Sequence, residues 1–455
     1  MNQQTKLVKS LKVHHLVFFG LAWMTPMIYF TVFGVAYEAA DGMMVAAYLV
    51  AFLAIFFTAY SYSRMVKAYP ISGSAYTYTK KSIHPLFGFF VGWALLLDYI
   101  FSPIIAILTF GIFMNTEFPS IPIYMWIIVM NVVLAIVNIV GTKSVARVSF
   151  ISVMIQILFI ALFCLFIVKN MVVGQTGLSH FFALGNLIHH DAPITTIFSG
   201  AAIICFCFLG FDAVTTMAEE TIHPEKTIPK AIFLIVMIAA AMYIATSYFT
   251  QIAYPNFSFT NPDNAAYHLV QLVGGSLLNT IFMTVLVIAT FTQGVSSVTS
   301  ITRFLYALGK ESILPKNGFA SIHPKFNTPV FNIILVTILS FLGVFIDLNT
   351  AVTFVSFGSL TAFMFVNLSV IGHFYIKMKQ RSAVQTCLYF IAPLIGAGFI
   401  GWLLTLLNKV TLGIGVSWLA CGFIYLFIKT KWSKRQIDST KDETELDLLP
   451  KEKIQ

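Results

Sequence analysis

Stretches of about twenty apolar residues recur along the whole of this 455-residue chain, and that recurrence limits its fold more than any motif does. In a hydrocarbon environment the backbone must satisfy its own N–H and C=O groups, which leaves helices or closed barrels, and runs of this length select helices. With charge, Pro and Gly as boundaries, twelve spans are expected, at 14–38, 43–66, 85–111, 121–141, 148–169, 194–219, 229–253, 275–306, 329–346, 351–376, 385–407 and 411–430. Composition agrees. The chain is 58% hydrophobic and 10% charged, against about 25% charged in a soluble domain. A soluble enzyme, a disordered chain and a disulfide scaffold are excluded, and the expected fold class is an all-α membrane protein.

The basic residues test the count. An even number of spans puts both ends on one side, and that side then collects every Lys and Arg except Lys169 and Lys409. A wrong count would scramble this asymmetry, so the positive-inside rule predicts cytoplasmic termini in a multi-pass cell-membrane protein. The net charge of +9 becomes a rim facing anionic membrane lipid, not a nucleic-acid surface. The opposite mouth carries Glu38, Asp41, Glu117, Asp191, Asp263 and Asp347, which is either a weak attractor of cations or a set of ordinary solvated loops. Lys6, Lys9 and Lys12 precede an apolar run too long for a cleaved leader, so the first span is expected to be retained. The organisation expected is a short segment 1–13, a transmembrane body 14–430 and a disordered tail 431–455. Cys164, Cys205, Cys207, Cys387 and Cys421 lie in apolar runs without metal-ligand spacing, and no HExxH, GxSxG or P-loop is present. No enzyme activity, cofactor, metal or obligatory protein partner is expected.

Two spans carry signs of interruption. Span one contains Trp23-Met24-Thr25-Pro26, and Pro26 removes a backbone donor in mid-helix. Span six contains Phe206-Cys207-Phe208-Leu209-Gly210-Phe211-Asp212. If the first ten spans are two five-helix repeats, at about 14–169 and 194–376, followed by extra helices at 385–430, these breaks are at equivalent positions, where a mid-membrane binding site is expected. Only Asp98 and Asp212 are acids deep within apolar runs, since Glu219 and Glu220 fall at the end of span six. Each costs about 2.5–3.5 kcal/mol to insert, and Arg303 alone is a basic residue of similar depth. Two such carboxylates either receive a cationic ligand or protons, or bond to polar neighbours such as Tyr99 or Thr215. Trp23, Phe206, Phe208 and Trp93 lie close in sequence and offer aromatic faces to a cation, with Phe206 the candidate gate. Thr292, Ser296 and Ser297 in span eight are either packing hydroxyls or oxygens for sodium.

The segments Gly20-LAWMTP-Met27, Gly73-SAYTYTKKSIHP-Leu86, Gly92-WALLLDY-Ile100, Phe208-LGFDAVTTMAEET-Ile222, Pro229-KAI-Phe233, Arg303-FLYALG-Lys310 and His323-PKFNTP-Val330 resemble the amino acid, polyamine and organocation transporter superfamily. Together with the NLSV stretch from Asn367, LAWMTP, LLLDY and FLGFDAVTT look most like bacterial putrescine importers. The resemblance implies two inverted five-helix repeats plus two helices, with substrate held between the broken parts of spans one and six. On it, Trp23, Met24, Thr25, Pro26, Phe206, Cys207, Leu209 and Gly210 line the site, Phe206 is the gate, and Asp98 and Asp212 are substrate ligands and proton-coupling candidates.

One departure bears on substrate. Amino-acid carriers of this superfamily usually have a Gly-rich turn in span one whose N–H groups cradle the substrate carboxylate. Here Pro26 offers no N–H, whereas a diamine needs no such cradle and two buried acids suit its two ammoniums. The expected function is import of a polyamine, putrescine first, by alternating access driven by membrane potential and proton symport. An amino acid permease or an amino acid/amine antiporter is the alternative, and a transporter-like sensor is the alternative from another class.

Overall fold

A computed structural model describes residues 9–173, 193–255, 257–259, 262, 265–407 and 409–446. The termini beyond these limits, Asp191 and Asp263 lie outside them. The described residues are helical, apart from turns and one isolated parallel bridge between Leu11 and Thr221.

Among the described residues ten helices are long and apolar enough to cross a membrane, and a bent pair, taken as one span, makes an eleventh. That pair is α1 (Val13–Met24) and α2 (Ile28–Ala39), which meet at 46°. The break comes where Pro26 was expected to place it. Thr25 turns to φ 49°, and helical bonding resumes when Ile28 N donates to the Thr25 carbonyl. Next come α3 (Met44–Ala68), a short α4 (Ser74–Ser82), α5 (Pro85–Glu117), α6 (Ile123–Val140) and α7 (Thr142–Val173). Span six is α8 (Ile194–Ile204), which tightens to a 3-10 turn over Cys205–Phe208, stops at Leu209 and Gly210, and resumes as a 3-10 helix over Phe211–Glu220.

The chain continues through α9 (Pro224–Ala253) and α10 (Ala265–Lys310). Gly275, at φ 66° and ψ −161°, separates a first short helical segment from the long part of α10, so the predicted span from 275 starts at the kink. After the four-residue α11 (Lys316–Phe319), α12 (Val330–Ser340) continues as a 3-10 turn to Val344. The apolar stretch Val330–Val344 occupies the predicted span 329–346 but is shorter than the other spans. Then follow α13 (Leu348–Val370), extended by a π-helical turn to Lys377, α14 (Ala383–Thr386), α15 (Ala392–Leu406) and α16 (Lys409–Leu446). Residues 431–446 continue α16, where the sequence reading placed a disordered tail.

The interior sits where α1, α5, α9, α10 and α13 converge, with α5 packed most extensively on α13 and α3 on α9. Outward faces are apolar. On α6, Val129, Val132, Ile136 and Val140 form such a face, each 44% or more exposed, as expected of helices solvated by lipid. The last span is fastened to the centre by a reciprocal clasp: Trp93 Nε1 donates to the Trp418 carbonyl at 2.9 Å, and Trp418 Nε1 to the Trp93 carbonyl at 2.7 Å. The two indoles stack at 5.2 Å.

Candidate functional site

The two helix breaks touch through Gly210 and Trp23. Gly210 has φ 103°, which L side chains rarely adopt, and a Cβ there would lie 1.5 Å from Trp23 Cδ1. The indole of Trp23 therefore lies over the gap in span six. Its other neighbour is Tyr99, whose ring meets it edge-on at 5.6 Å. Tyr99 O–H donates to Asp212 Oδ2 at 3.0 Å. Asp212 sits in the first turn after the break and is fully buried, and its Oδ1 receives no hydrogen bond of regular geometry from the described residues.

Asp98 immediately precedes Tyr99 on α5 and is 1% exposed. Both its oxygens are served: Ser102 Oγ donates to Oδ1 at 3.1 Å and Ser359 Oγ to Oδ2 at 2.6 Å. Ser102 is one helical turn along α5. Ser359 comes from α13, which approaches closely because Gly358 has no side chain; a Cβ there would lie 2.6 Å from the Ala94 carbonyl and 2.8 Å from Asp98 N. Ser359 Oγ also lies 2.9 Å from the Val355 carbonyl, so its one hydrogen faces two acceptors. Pro103, inside α5, has no N–H for the Tyr99 carbonyl, which loses its helical donor beside the carboxylates.

Neither carboxylate pairs with a cation among the described residues. Arg303, the basic residue of similar depth, is 1% exposed and donates from Nε to Glu220 Oε1 at 2.8 Å. The hydroxyls of Tyr62, Ser74 and Thr215, all buried, likewise make no hydrogen bond of regular geometry among the described residues. Of the neighbours the sequence offered Asp212, Tyr99 bonds it and Thr215 does not.

At the span-one break, Gln156 of α7 organises the polar groups. Its Oε1 accepts from Thr25 Oγ1 at 2.8 Å and from Met27 N at 3.4 Å, while its Nε2 is buried without a partner. Thr25 N donates to the Leu21 carbonyl and Ile28 N to the Thr25 carbonyl. With Pro26 lacking an N–H, no backbone donor from Thr25 to Ile28 is left over for a ligand carboxylate.

The structure brings Trp23, Gly210, Asp98 and Asp212 together around Tyr99. Met24, Thr25 and Pro26 are buried at the first break, and Leu209 at the second. Cys207 is engaged by two tyrosines: its Sγ lies 3.9 Å from the Tyr48 hydroxyl, and its carbonyl accepts from Tyr243. Phe208 packs on Tyr243, and Trp93 is engaged by Trp418. Phe206 is half-buried against the core. In span eight, the hydroxyls of Thr292 and Ser297 bond to carbonyls of their own helix, whereas buried Ser296 Oγ has no partner. Asp347, counted among the acids of the mouth, caps α13 by accepting from Thr350 N and Oγ1, both at 2.8 Å.

Sequence reading missed Ser102, Ser359, Gln156 and Pro103. Ser102 was findable from its i+4 spacing to Asp98, and Pro103 from its position in an apolar run; Ser359 and Gln156 have no local signal.

On the Lys-rich side lies a layer of ion pairs. Beneath Arg303 and Glu220, Lys310 Nζ meets Glu219 Oε1 at 2.9 Å, and Lys80 pairs with Glu311, which also accepts from the Tyr76 hydroxyl at 2.8 Å. Burial alone would raise the Glu311 carboxyl, but hydrogen bonds from Lys80 and Tyr76 and the Lys80 charge outweigh it and hold the carboxyl below its ordinary value. The N-terminal segment joins this layer. Ser10 N and Leu11 N donate to the Glu220 carbonyl at 2.9 and 3.0 Å, and Ile222 N donates to the Leu11 carbonyl at 3.0 Å.

Comparison with known proteins fits this architecture. The amino acid permease family model matches residues 15–439. Over 444 residues the chain is 36% identical to the low-affinity putrescine importer PlaP of Escherichia coli (strain K12), covering 96% of this chain and 97% of that one. It is 25% identical over 454 residues to the branched-chain amino acid permease BcaP of Bacillus subtilis (strain 168), covering 94% of each. Its fold is similar to that of a Na+-coupled sialic acid symporter in a substrate-bound outward-open state, with a TM-score of 0.56 at 14% identity, covering 86% of this chain and 89% of that chain. The chain is thus a multi-pass membrane transport protein that belongs to the amino acid permease family.

Proposed function

We propose that this protein imports a small polyamine, putrescine or a close homologue, through a site between the breaks of spans one and six. The observation that carries the proposal is Asp212 Oδ1, a buried carboxylate oxygen that receives no hydrogen bond of regular geometry from the described residues, near a second buried carboxylate, with no cation among the described residues paired to either. Leaving such groups unpaired in low dielectric is costly. A ligand ammonium relieves that cost, and the Tyr99 carbonyl and the Trp23 face add an acceptor and a cation-π surface. An α-amino acid fits less well. Its carboxylate finds no free N–H at the first break, and at the second it meets Asp212 at the very turn where a helix dipole would attract an anion.

The two acids divide the work in this reading. Asp212 takes the ammonium. Asp98 is the stronger proton-coupling candidate, because Ser359 registers its state: with Asp98 ionised the hydroxyl donates to Oδ2, and with Asp98 protonated it turns to the Val355 carbonyl while the acid donates back. Alternating access moves the site from one face to the other, with Phe206 as gate and the termini cytoplasmic. A potential of 100 mV is worth about 2.3 kcal/mol per charge, so about 4.6 kcal/mol, or some three decades of accumulation, for a dication. Proton symport adds to a driving force that is sufficient without it.

The test is uptake of labelled putrescine by proteoliposomes under an imposed inside-negative potential, against a panel of neutral and cationic amino acids. Putrescine should accumulate and resist competition by the amino acids. Uptake of a zwitterion with putrescine excluded would overturn the reading, and binding without accumulation would make the chain a sensor.

A further inference from the structure

A cavity of about 480 Å³, lined by none of the central-site residues, lies between the N-terminal end of α1 and the start of α7. Ser10, His14, His15 and Arg147 line its polar part, and Phe18 and Phe150 its apolar part. The two phenyl rings meet edge-on at 4.7 Å, and Phe150 is 47% exposed. No acidic residue lines it, and Arg147 makes no ion pair among the described residues. Lys9 and Lys12, both exposed, flank it in the chain.

The apolar end does not stop at Phe150. Ile151, Leu158, Leu165 and Val172 recur at intervals of seven along α7 and are 51, 63, 65 and 60% exposed, which makes one stripe running from the cleft along the helix. A basic, hydrogen-bonding head on a long apolar track matches an amphiphile with an anionic head. We infer that this cleft binds one anionic phospholipid, its phosphate held by Arg147 and His14 and its acyl chain lying along α7. Soluble phosphate would use the head of the cleft and leave the track idle.

The cleft also adjoins span six: Ser10 lines it and, with the neighbouring Leu11, holds the Glu220 carbonyl at the end of that span.

The full chain in neutral detergent, titrated with phosphatidylglycerol, phosphatidylcholine or inorganic phosphate and followed by native mass spectrometry, tests the assignment. One phosphatidylglycerol should be retained about fivefold or more in preference to phosphatidylcholine. Arg147→Gln combined with His14→Gln should bring the two lipids to near parity, while Arg147→Lys alone should keep most of the preference and control for folding. Millimolar inorganic phosphate should leave the bound lipid in place. Equal retention of the two lipids by the wild type, an unchanged preference in the double variant, or retention only by dimers of the chain would each overturn the inference. Displacement by inorganic phosphate alone would reassign the cleft to a soluble anion.

Discussion

Asp98 and Asp212 are both acids buried mid-chain, yet their surroundings differ. Asp98 stands on the regular helix α5, and each of its oxygens has a serine hydroxyl. Asp212 stands just past a break, with one oxygen bonded to Tyr99 and the other receiving no hydrogen bond of regular geometry from the described residues. A continuous helix surrounds a side chain with neighbours at i±3 and i±4 that can serve it, whereas a broken one presents groups to a gap. In this molecule the intact helix holds a carboxylate and the interrupted helix offers one.

The largest effect should come from removing the break. Gly210→Ala places a methyl group inside the Trp23 ring and forces an unfavourable φ, so it should destabilise the protein by about 3 kcal/mol or more and lower its thermal midpoint in detergent. A normal midpoint would show that the indole has room to move. Next, Asp212→Asn should weaken putrescine uptake by about two decades, the loss of a buried ion pair of about 3 kcal/mol. Asp98→Asn should cost transport about one decade, because the amide oxygen still accepts from a serine, and should flatten the response of uptake to an imposed pH gradient. If Asp98→Asn proves the more damaging of the two for amine binding, the contrast is reversed.

Ser359→Ala sharpens the comparison from the other side. It opens Asp98 Oδ2 and should move the pH profile of uptake while changing putrescine affinity less than about threefold, one neutral-to-charged hydrogen bond being partly replaced by solvent. The smallest effect is at the layer of ion pairs. Glu311 is held below its ordinary value of 4.5, so its pairing with Lys80 stabilises the protein above that pH and the contribution disappears as pH falls through the depressed value. Glu311→Gln should therefore cost less than about 1 kcal/mol near neutrality, the pair being partly exposed, and nothing in strong acid. Thermal midpoints measured across that range decide it.

How far these features were legible in the sequence follows from their range. Pro26 and Gly210 act on their own backbone, so both breaks could be read from single residues. Asp98 and Asp212 stood out because charge is scarce in apolar runs. What the sequence does not carry is which distant group meets which: Ser359 reaches Asp98 from 261 residues away and Gln156 reaches Thr25 from 131, each set by helix packing with no periodic trace. Trp93 was placed near the carboxylates by proximity in sequence, but its indole is taken by Trp418 from the last span. Val330–Val344 met the hydropathy pattern yet is shorter than the other spans, because hydropathy does not register where helical bonding stops.

The bridge between Leu11 and Thr221 ties the start of the polypeptide to the segment that leaves the second break. A fluorophore or affinity handle appended ahead of Ser10 is therefore mechanically connected to the second half of span six, and labels intended to leave that segment undisturbed belong elsewhere on the molecule.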